Sequence, residues 1–391
     1  MGFYTSPSFF LLLAAAVLPA AALGLSGRSL RGWGMAASCL FVALLFAGDA
    51  CQLAAFLAFL AVAGAACACT LRSWRSGAKS MRVYRAALAA TLAPLVLCKA
   101  SGAFDASLWG FVGISYVTFK AVQVLVEVRD GLIGRMAPAD WLYFIAFFPV
   151  ITSGPIDRSR RFLEDAHRRW SRAEYADLLS RGLLLLLAGA VYQMVLGSVA
   201  QSFYSPAAMG QGPLAAELAE QAKDAWAYGL FMFFNFAGYS LMAQGASYCF
   251  GIRTPRNFRA PFAAVDMKDF WNRWHMTLSF WLRDFVFMRF VRAATRRKWF
   301  ESRLSCACAG YVVNMGLMGA WHGLTPEYLL YGLYHGVLLA ATDVFQKKSA
   351  LYRRYKNEIW FKAASWFVTV NLVMLGFALF SGQITTIIGG L

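Results

Sequence analysis

The chain consists of many apolar blocks of roughly membrane-crossing length, separated by short polar loops. A transmembrane helix needs about 20 consecutive apolar residues. The blocks extend along all 391 residues, and 59% of these are hydrophobic, more than the roughly 45–50% of a soluble domain. We therefore predict an all-α polytopic membrane protein with about ten or eleven transmembrane helices and some shorter re-entrant and interfacial helices.

No long polar segment or low-complexity linker interrupts these blocks. We expect one integral-membrane domain over residues 1–391, with N-terminal helices in 1–135, a catalytic core in 136–345 and a C-terminal helix in 346–391. The first apolar run, 9–25, precedes the first basic residue, Arg28. Because a signal peptide starts with a basic region, we expect this run to be retained as a helix.

Lysine and arginine outnumber aspartate and glutamate by 37 to 20. Such an excess can indicate nucleic-acid binding, but cytoplasmic loops of membrane proteins also collect basic residues. We favour the second explanation and expect no nucleic-acid partner. A basic inner surface that binds an acidic partner is a third interpretation. The eight cysteines lack the paired spacing of a zinc site, so we expect no metal.

One stretch departs from the alternation of spans and loops. Residues 141–151 are apolar but too few to cross a membrane, and Thr152-Ser153-Gly154-Pro155 then breaks the helix. We expect a half-membrane element, which is tolerated where protein or water satisfies its backbone. The Arg-rich stretch 157–181 is predicted to be an amphipathic helix on the inner surface, followed by a span over 183–199.

Three of the four histidines lie in or beside apolar blocks, where ionisable residues are costly and are candidates for function. His275 belongs to the densest polar cluster, 266–284, which we predict to be one helix. On such a helix His275 and Ser279 share a face, with Arg283 one turn further. The helix either lines a polar cavity or lies at the membrane interface, with its tryptophans at headgroup level.

His322 follows an apolar span, 306–320, in the motif Trp321-His322-Gly323. Loop charges place this end on the outer side. A histidine here is a candidate general base, since its usual pKa lies near operating pH, or it is an interfacial histidine. His335 lies 13 positions later and faces another way, so we expect a packed, hydrogen-bonded core residue. The GxSxG, P-loop, HExxH and GxGxxG patterns are absent.

Two motifs together resemble the membrane-bound O-acyltransferase (MBOAT) family: Trp271-Asn-Arg-Trp-His275-Met-Thr-Leu-Ser-Phe-Trp-Leu-Arg-Asp284 and, about 47 positions after His275, Trp321-His322-Gly323. Segments 114–131 and 148–161 are more similar to the D-alanyl-transferring branch of the family than to its alginate O-acetyltransferase branch. The resemblance implies a ring of transmembrane helices around a central funnel or tunnel. It also implies that His322 is the family's hallmark histidine and His275 its second.

The resemblance further implies the chemistry. D-Alanine arrives as a phosphopantetheine thioester on an acidic cytosolic carrier protein, with no tightly bound cofactor, and an acceptor hydroxyl receives it on the outer side. His322 then acts as the base, while His275 with Asn272 and Ser279 orients the acyl group or donates to the oxyanion. We expect Arg283 and Asp284 to form a buried ion pair. The remaining candidates for the tunnel lining are Trp271, Asn314 and Trp321.

The partners follow from the same resemblance. The carrier protein is expected to bind the basic stretch that follows the His275 segment, namely Arg289, Arg292, Arg296, Arg297 and Lys298. A membrane or extracytoplasmic partner and an acceptor polymer, such as teichoic acid, are expected at a bacterial cytoplasmic membrane. An alginate-type polysaccharide O-acetyltransferase and a non-enzymatic transporter or channel are the alternatives.

Overall fold

The computed structural model describes residues 2–102, 110–206 and 213–384. All regular secondary structure in these ranges is helical, which confirms the predicted all-α class. Seven of the described helices are long and apolar enough to cross a membrane, so the chain is a multi-pass membrane protein. These helices are Pro7–Leu25, Ala50–Arg75, Met81–Ser101, Arg172–Ser202, Arg303–His322, Pro326–Lys348 and Ile359–Phe380.

Seven is fewer than the ten or eleven spans that we expected. Helices Arg31–Phe46 and Ile114–Arg129 have only 16 residues each. A straight helix of that size covers about 24 Å, less than the ~30 Å of the hydrocarbon core. The span that we predicted over 108–126, which overlaps helix Ile114–Arg129, begins in residues outside the described ranges. Helix Leu214–Cys249 has 36 residues, but polar side chains such as Asn235 interrupt its apolar part.

The chain divides into two compact units, Met1–Ala190 with Gly238–Arg256, and Val191–Ala237 with Asn257–Leu391. The first unit contains α1 Pro7–Leu25, α2 Arg31–Phe46, α3 Ala50–Arg75, α4 Met81–Gly102, α5 Ile114–Arg129, α6 Pro138–Ala146, α7 Ser159–His167 and α8 Arg172–Ala190. The second contains α9 Ser198–Ser202, the first part of α10 Leu214–Cys249, α11 Met267–Trp271, α12 Met276–Leu282, α13 Met288–Arg296, α14 Arg303–His322, α15 Pro326–Lys348, α16 Ala350–Tyr355 and α17 Ile359–Phe380. The predicted single domain and the predicted ring stay predictions.

Within the first unit, α5 carries a buried polar stripe that holds the irregular segment 151–158. The stripe residues recur every three or four positions and share one face: Tyr116, Lys120, Gln123 and Glu127. With the side-chain amide of Gln123 oriented to match its neighbours, it donates to the Asp157 carbonyl (3.3 Å) and accepts from the Ser159 N–H (2.9 Å). Glu127 accepts from the Ser159 hydroxyl (2.7 Å). Protein side chains therefore satisfy backbone groups at the end of this segment, and its half-membrane position stays a prediction.

The amphipathic helix that was predicted over 157–181 is wrong in its extent, because only α7 fits that description and the chain forms two helices there. α7 ends at His167, and α8 begins at Arg172 and continues into the span. Ser171 and Glu174 separate them: the Ser171 hydroxyl accepts from the Glu174 N–H (3.3 Å), and the Glu174 carboxylate accepts from the Ser171 N–H (3.0 Å). This reciprocal pair is a capping box, which starts a new helix.

Candidate active site

The segment around His275 is broken rather than continuously helical. α11 ends at Trp271 and α12 begins at Met276, and His275 between them has φ 41° and ψ 50°. This left-handed conformation is uncommon for residues with a β-carbon, and strained residues of this kind cluster at functional sites. The predicted single helix over 266–284 is wrong. Because His275 lies outside α12, it does not share a helix face with Ser279.

Asn257 orients the His275 ring. The buried Asn257 Oδ1 accepts hydrogen bonds from His275 Nδ1 (3.0 Å) and from the N–H (3.3 Å) and hydroxyl (2.8 Å) of Thr277. A backbone N–H can only donate, so the shared atom must be the amide oxygen. In the neutral His275 ring the proton is therefore on Nδ1, and Nε2 has the lone pair.

No feature of the sequence indicated that Asn257 belongs to the site. It lies in the loop between α10 and α11, next to Arg256 and Arg259. A polar residue in a basic loop is most often exposed to water. The 18 positions between it and His275 include a loop, helix α11 and the break after it, so only the folded chain brings the two together.

The His275 ring lies in an apolar, enclosed environment. Its residue is 4% exposed, and the Phe236 ring lies perpendicular to it at 4.7 Å between centroids. Within the described ranges, Nε2 has no hydrogen-bond partner. His322 is near enough to interact electrostatically with this ring. Both histidines thus lie in the second unit, and their catalytic roles stay predictions.

His322 is the last residue of α14, as the sequence predicted, and it is half-buried. Aromatic rings surround it: Trp321 at 4.4 Å, Phe380 at 5.0 Å and Tyr328 at 6.0 Å between centroids. Gly323 makes room for one of these rings, since a β-carbon there would lie 2.5 Å from Tyr328 Cδ2. The site therefore needs a residue without a side chain at position 323.

Close packing of α14 on α15 fixes the position of His322. A β-carbon at Gly319 would lie 2.3 Å from the Tyr328 carbonyl oxygen, and one at Gly332 would lie 2.4 Å from the Met315 carbonyl oxygen. The two backbones therefore touch at small residues, the usual way in which membrane helices approach closely. This contact sets where the C-terminal end of α14 lies relative to α15.

His335 is fully buried and packed, as predicted, but its predicted hydrogen bonding is wrong. Neither ring nitrogen has a hydrogen-bond partner among the residues that the structure describes. Aromatic rings enclose it instead, with Tyr331 at 4.6 Å and Trp271 at 5.2 Å between centroids. Tyr331 also faces His322, at 6.3 Å, so a continuous set of rings joins His335 to the site.

A cavity of about 230 Å³ lies beside α12. Five of the predicted tunnel residues line it: Trp271, Asn272, Ser279, Arg283 and Asn314. Neither His275 nor His322 belongs to its lining, and neither does Trp321, which packs on His322. Lys268 also lines the cavity and forms an ion pair with the buried Asp343 of α15, which we had not predicted. The cavity and the histidine pair are therefore neighbouring features of one unit.

Arg283 and Asp284 form the predicted ion pair, at 2.9 Å, but not the predicted buried one. Their side chains are 55% and 39% exposed. They begin a short π-helical turn, Arg283–Phe287, that joins α12 to α13. Such turns are rare and frequent at functional sites. The exposed pair contributes little to stability.

The predicted docking residues lie on and just after α13. Arg292, Arg296, Arg297 and Lys298 are exposed, whereas Arg289 is half-buried against the Phe285 ring. α13 follows directly after Arg283–Phe287, and both ends of this turn line the cavity. The basic surface and the cavity are therefore adjacent along the chain.

The chain matches the model of one known protein family. A family model described as "MBOAT, membrane-bound O-acyltransferase family" matches residues 45–384. The chain belongs to this family. MBOAT membership confirms the resemblance on the two histidine motifs and the predicted acyltransferase class.

Several curated proteins are similar to this MBOAT chain. The teichoic acid D-alanyltransferase of Bacillus subtilis is 38% identical, over 97% of this chain and 98% of its own length. That of Lacticaseibacillus rhamnosus is 33% identical, over 97% of this chain and 96% of its own. The probable alginate O-acetylase of Pseudomonas aeruginosa is 27% identical, over 70% of this chain and 49% of its own.

Proposed function

We propose that this MBOAT protein transfers D-alanine from a carrier-protein thioester to a hydroxyl acceptor on the outer side, in the D-alanylation of teichoic acid or a similar polymer. The observation that carries the proposal is the full-length similarity to teichoic acid D-alanyltransferases, 38% identical over 97% of this chain in Bacillus subtilis. The bacterial cytoplasmic membrane is then its location. A membrane or extracytoplasmic partner would pass the acyl group on to the polymer.

The cavity beside α12 is suited to the phosphopantetheine arm of the donor. Its wall is mostly apolar, with amide and hydroxyl groups from Asn272, Ser279 and Asn314. Asn314 is buried, and its Oδ1 has no hydrogen-bond partner within the described ranges. Pantetheine carries two amides on a narrow chain, and their N–H groups would satisfy such an acceptor.

The basic surface of α13 is suited to the carrier protein. Three exposed arginines, Arg292, Arg296 and Arg297, follow the turn that lines the cavity. An acidic carrier would be attracted and oriented there by charge complementarity. Its pantetheine arm would then need to travel only the length of the cavity while the carrier stays in the cytosol.

In the proposed reaction, His322 takes the proton of the acceptor hydroxyl as its oxygen attacks the thioester carbonyl. The tetrahedral intermediate then collapses, the C–S bond breaks, and the thiolate takes the proton from the imidazolium. The products are an ester and the free carrier thiol, and no nucleotide is consumed. A positioned base of this kind contributes roughly 10²–10⁴-fold.

The hydrogen bond from His275 changes the role that we first gave this ring. Because Nδ1 donates to Asn257, the neutral ring can only accept at Nε2. It cannot donate to an oxyanion in that state. We assign His275 instead to accept a hydrogen bond from a donor N–H, either the D-alanyl ammonium or a pantetheine amide.

Reconstitution tests the proposal. The purified chain in liposomes would receive carrier protein charged with radiolabelled D-alanine, and loss of label from the carrier to a lipid-linked acceptor would be followed. Wild type should transfer label, and His322→Ala should abolish transfer while carrier binding is kept. Transfer that persists in His322→Ala would contradict the assigned base.

The same preparation separates the alternatives. The probable alginate O-acetylases motivate the use of labelled acetate as a competing acyl donor. Transfer of acetate but not D-alanine would favour a polysaccharide O-acetyltransferase. Movement of D-alanine across the membrane without any ester formed would indicate a transporter.

A further inference from the structure

Helices α15 and α17 enclose a second, larger groove in the second unit. Its volume is about 490 Å³, within the roughly 300–1,000 Å³ of ligand pockets. One face of each helix lines it, with residues that recur every three or four positions. The lining includes Leu338, Ala341, Thr342 and Phe345 of α15, and Phe361, Ser365, Val368, Thr369 and Leu372 of α17.

The groove is closed at its apolar end. There the Tyr334 hydroxyl donates to the Leu372 carbonyl at 2.9 Å, so α15 and α17 are in contact. One turn further, Gly376 admits the His335 ring, since a β-carbon at Gly376 would lie 2.5 Å from His335 Nε2. The groove therefore ends in the interior of the helix packing.

The other end of the groove is basic. Lys356 and Lys362 line it and are exposed, and Tyr352 of α16 lies beside them. The lining also includes one acidic residue, the half-buried Asp266, which accepts a hydrogen bond from the Gln346 amide (2.9 Å), so the two lysines leave a net positive charge. The surrounding stretch 347–362 has six basic residues and one acidic residue, Glu358. Trp360 in this stretch is 55% exposed, which is typical of a residue at the level of lipid headgroups. An apolar groove thus leads out to a cationic rim at the membrane interface.

We propose that this groove binds one phospholipid with an anionic headgroup. Its acyl chain lies between α15 and α17, and its phosphate contacts Lys356 and Lys362. Basic pockets between transmembrane helices are known to bind such headgroups. This proposal stands independently of acyl transfer.

The shape of the groove argues against other occupants. A free phosphate would leave its apolar length unfilled. A helix from a partner protein is about 10–12 Å wide with its side chains, far broader than a single acyl chain. A single flexible acyl chain is narrow enough to fit.

Native mass spectrometry of the full chain, released from nanodiscs that contain phosphatidylglycerol and phosphatidylcholine, tests the proposal. Wild type should retain one phosphatidylglycerol. Lys356→Gln with Lys362→Gln should weaken its retention by roughly 10- to 30-fold, given the attraction of each basic residue for an anionic lipid. Ala341→Leu, which fills the groove without a change of charge, should also displace the lipid.

Arg353→Gln with Arg354→Gln is the matched control. It removes the same charge from the same stretch, but neither arginine lines the groove. It should keep the bound lipid. If the control pair lost phosphatidylglycerol as much as the lysine pair does, the attraction would be a diffuse property of the basic surface. If wild type retained phosphatidylcholine as well as phosphatidylglycerol, the bound molecule would be ordinary surrounding lipid. Either result would overturn the proposal, as would tight binding to the Ala341→Leu chain.

Discussion

At the scale of single residues, Asn257 determines which nitrogen of His275 carries the proton. Its amide oxygen accepts three hydrogen bonds in a buried site, and one of them comes from a backbone N–H. Low local polarity makes each of these bonds costly to lose. The same bonds hold His275 in its left-handed conformation. One side chain therefore controls both the tautomer and the direction of the ring.

Replacing Asn257 with leucine should reduce D-alanyl transfer by roughly 10²-fold or more, because a mispositioned or wrongly protonated histidine loses most of its effect. Asn257→Asp keeps an acceptor and should restore part of the activity. The measurements are kcat and KM in liposomes, with ¹⁵N spectra of the histidines. Because the chain has four histidines, His275 can be assigned by its loss in His275→Gln.

Thr277→Val is the control for this prediction. It removes the hydroxyl bond to the same oxygen but leaves the His275 contact in place. Its kcat should fall only a few-fold. A ring tautomer unchanged in Asn257→Leu would show that Asn257 does not set the proton position.

A second residue-scale prediction concerns Gly323. In Gly323→Ala the new β-carbon must displace the Tyr328 ring, which lies 2.5 Å from it and packs beside His322. We expect at least about tenfold lower kcat, as small displacements near reacting groups cost that much or more. Gly316→Ala is the control, since its β-carbon would meet no atom closer than 3.9 Å. Similar kcat in both variants would contradict this role for Gly323.

At the scale of helices, α13 combines an exposed basic surface with a direct connection to the cavity lining. Its arginines lie on a nine-residue helix, so charge changes there need not disturb a membrane span. We therefore predict that binding of the proposed carrier and the reaction itself can be separated. Substitutions on α13 should affect the first and spare the second.

Arg292→Glu with Arg296→Glu should raise the KM for charged carrier protein by roughly tenfold or more, because like charges then face the acidic carrier. kcat at saturation should change little, and the effect should shrink at high salt. Arg353→Glu with Arg354→Glu on α16 is the control of equal charge. If both pairs raise KM equally, the basic surface of α13 has no special role.

The break between α11 and α12 shows where a periodic pattern stops being informative. Residues 272–275 contain neither glycine nor proline, so nothing in their types predicts the end of a helix. Tertiary bonds from Asn257 stabilise the left-handed residue instead. By contrast, the end of α14 and the start of α15 were predictable. Gly323 is a local signal for the end of a helix, and Pro326 is one for the start of the next.

At the scale of the whole molecule, the sequence predicted the all-helical membrane class, which is confirmed, and two catalytic histidines, whose roles stay predictions. Both rest on local features: long apolar blocks, and rare ionisable residues beside them. The sequence did not predict the partners of those residues. These partners come from distant positions in the chain: Asn257 bonds to His275, Asp343 pairs with Lys268, and the α5 stripe contacts the segment near Asp157.

The α5 stripe predicts how the first unit responds to loss of one side chain. Gln123→Leu removes the partners of two backbone groups in the irregular segment, and each unsatisfied group costs about 1–3 kcal/mol. The variant should unfold at a clearly lower temperature in detergent. Gln201→Leu, at an exposed position, should change stability by less than about 0.5 kcal/mol. Equal melting of Gln123→Leu and wild type would refute this account.

Lys120 and Glu127 also affect how this protein is inserted into the membrane during its synthesis. A lysine at the centre of a helix costs about 2.5–3.5 kcal/mol on insertion into lipid. Lys120 donates to the Phe144 carbonyl, which is synthesised 24 positions later. Glu127 accepts from the Ser159 hydroxyl, which is synthesised 32 positions later. We therefore predict that α5 enters its final position only after α6 and α7 have been synthesised. Nascent chains released before residue 159 should be extracted and degraded.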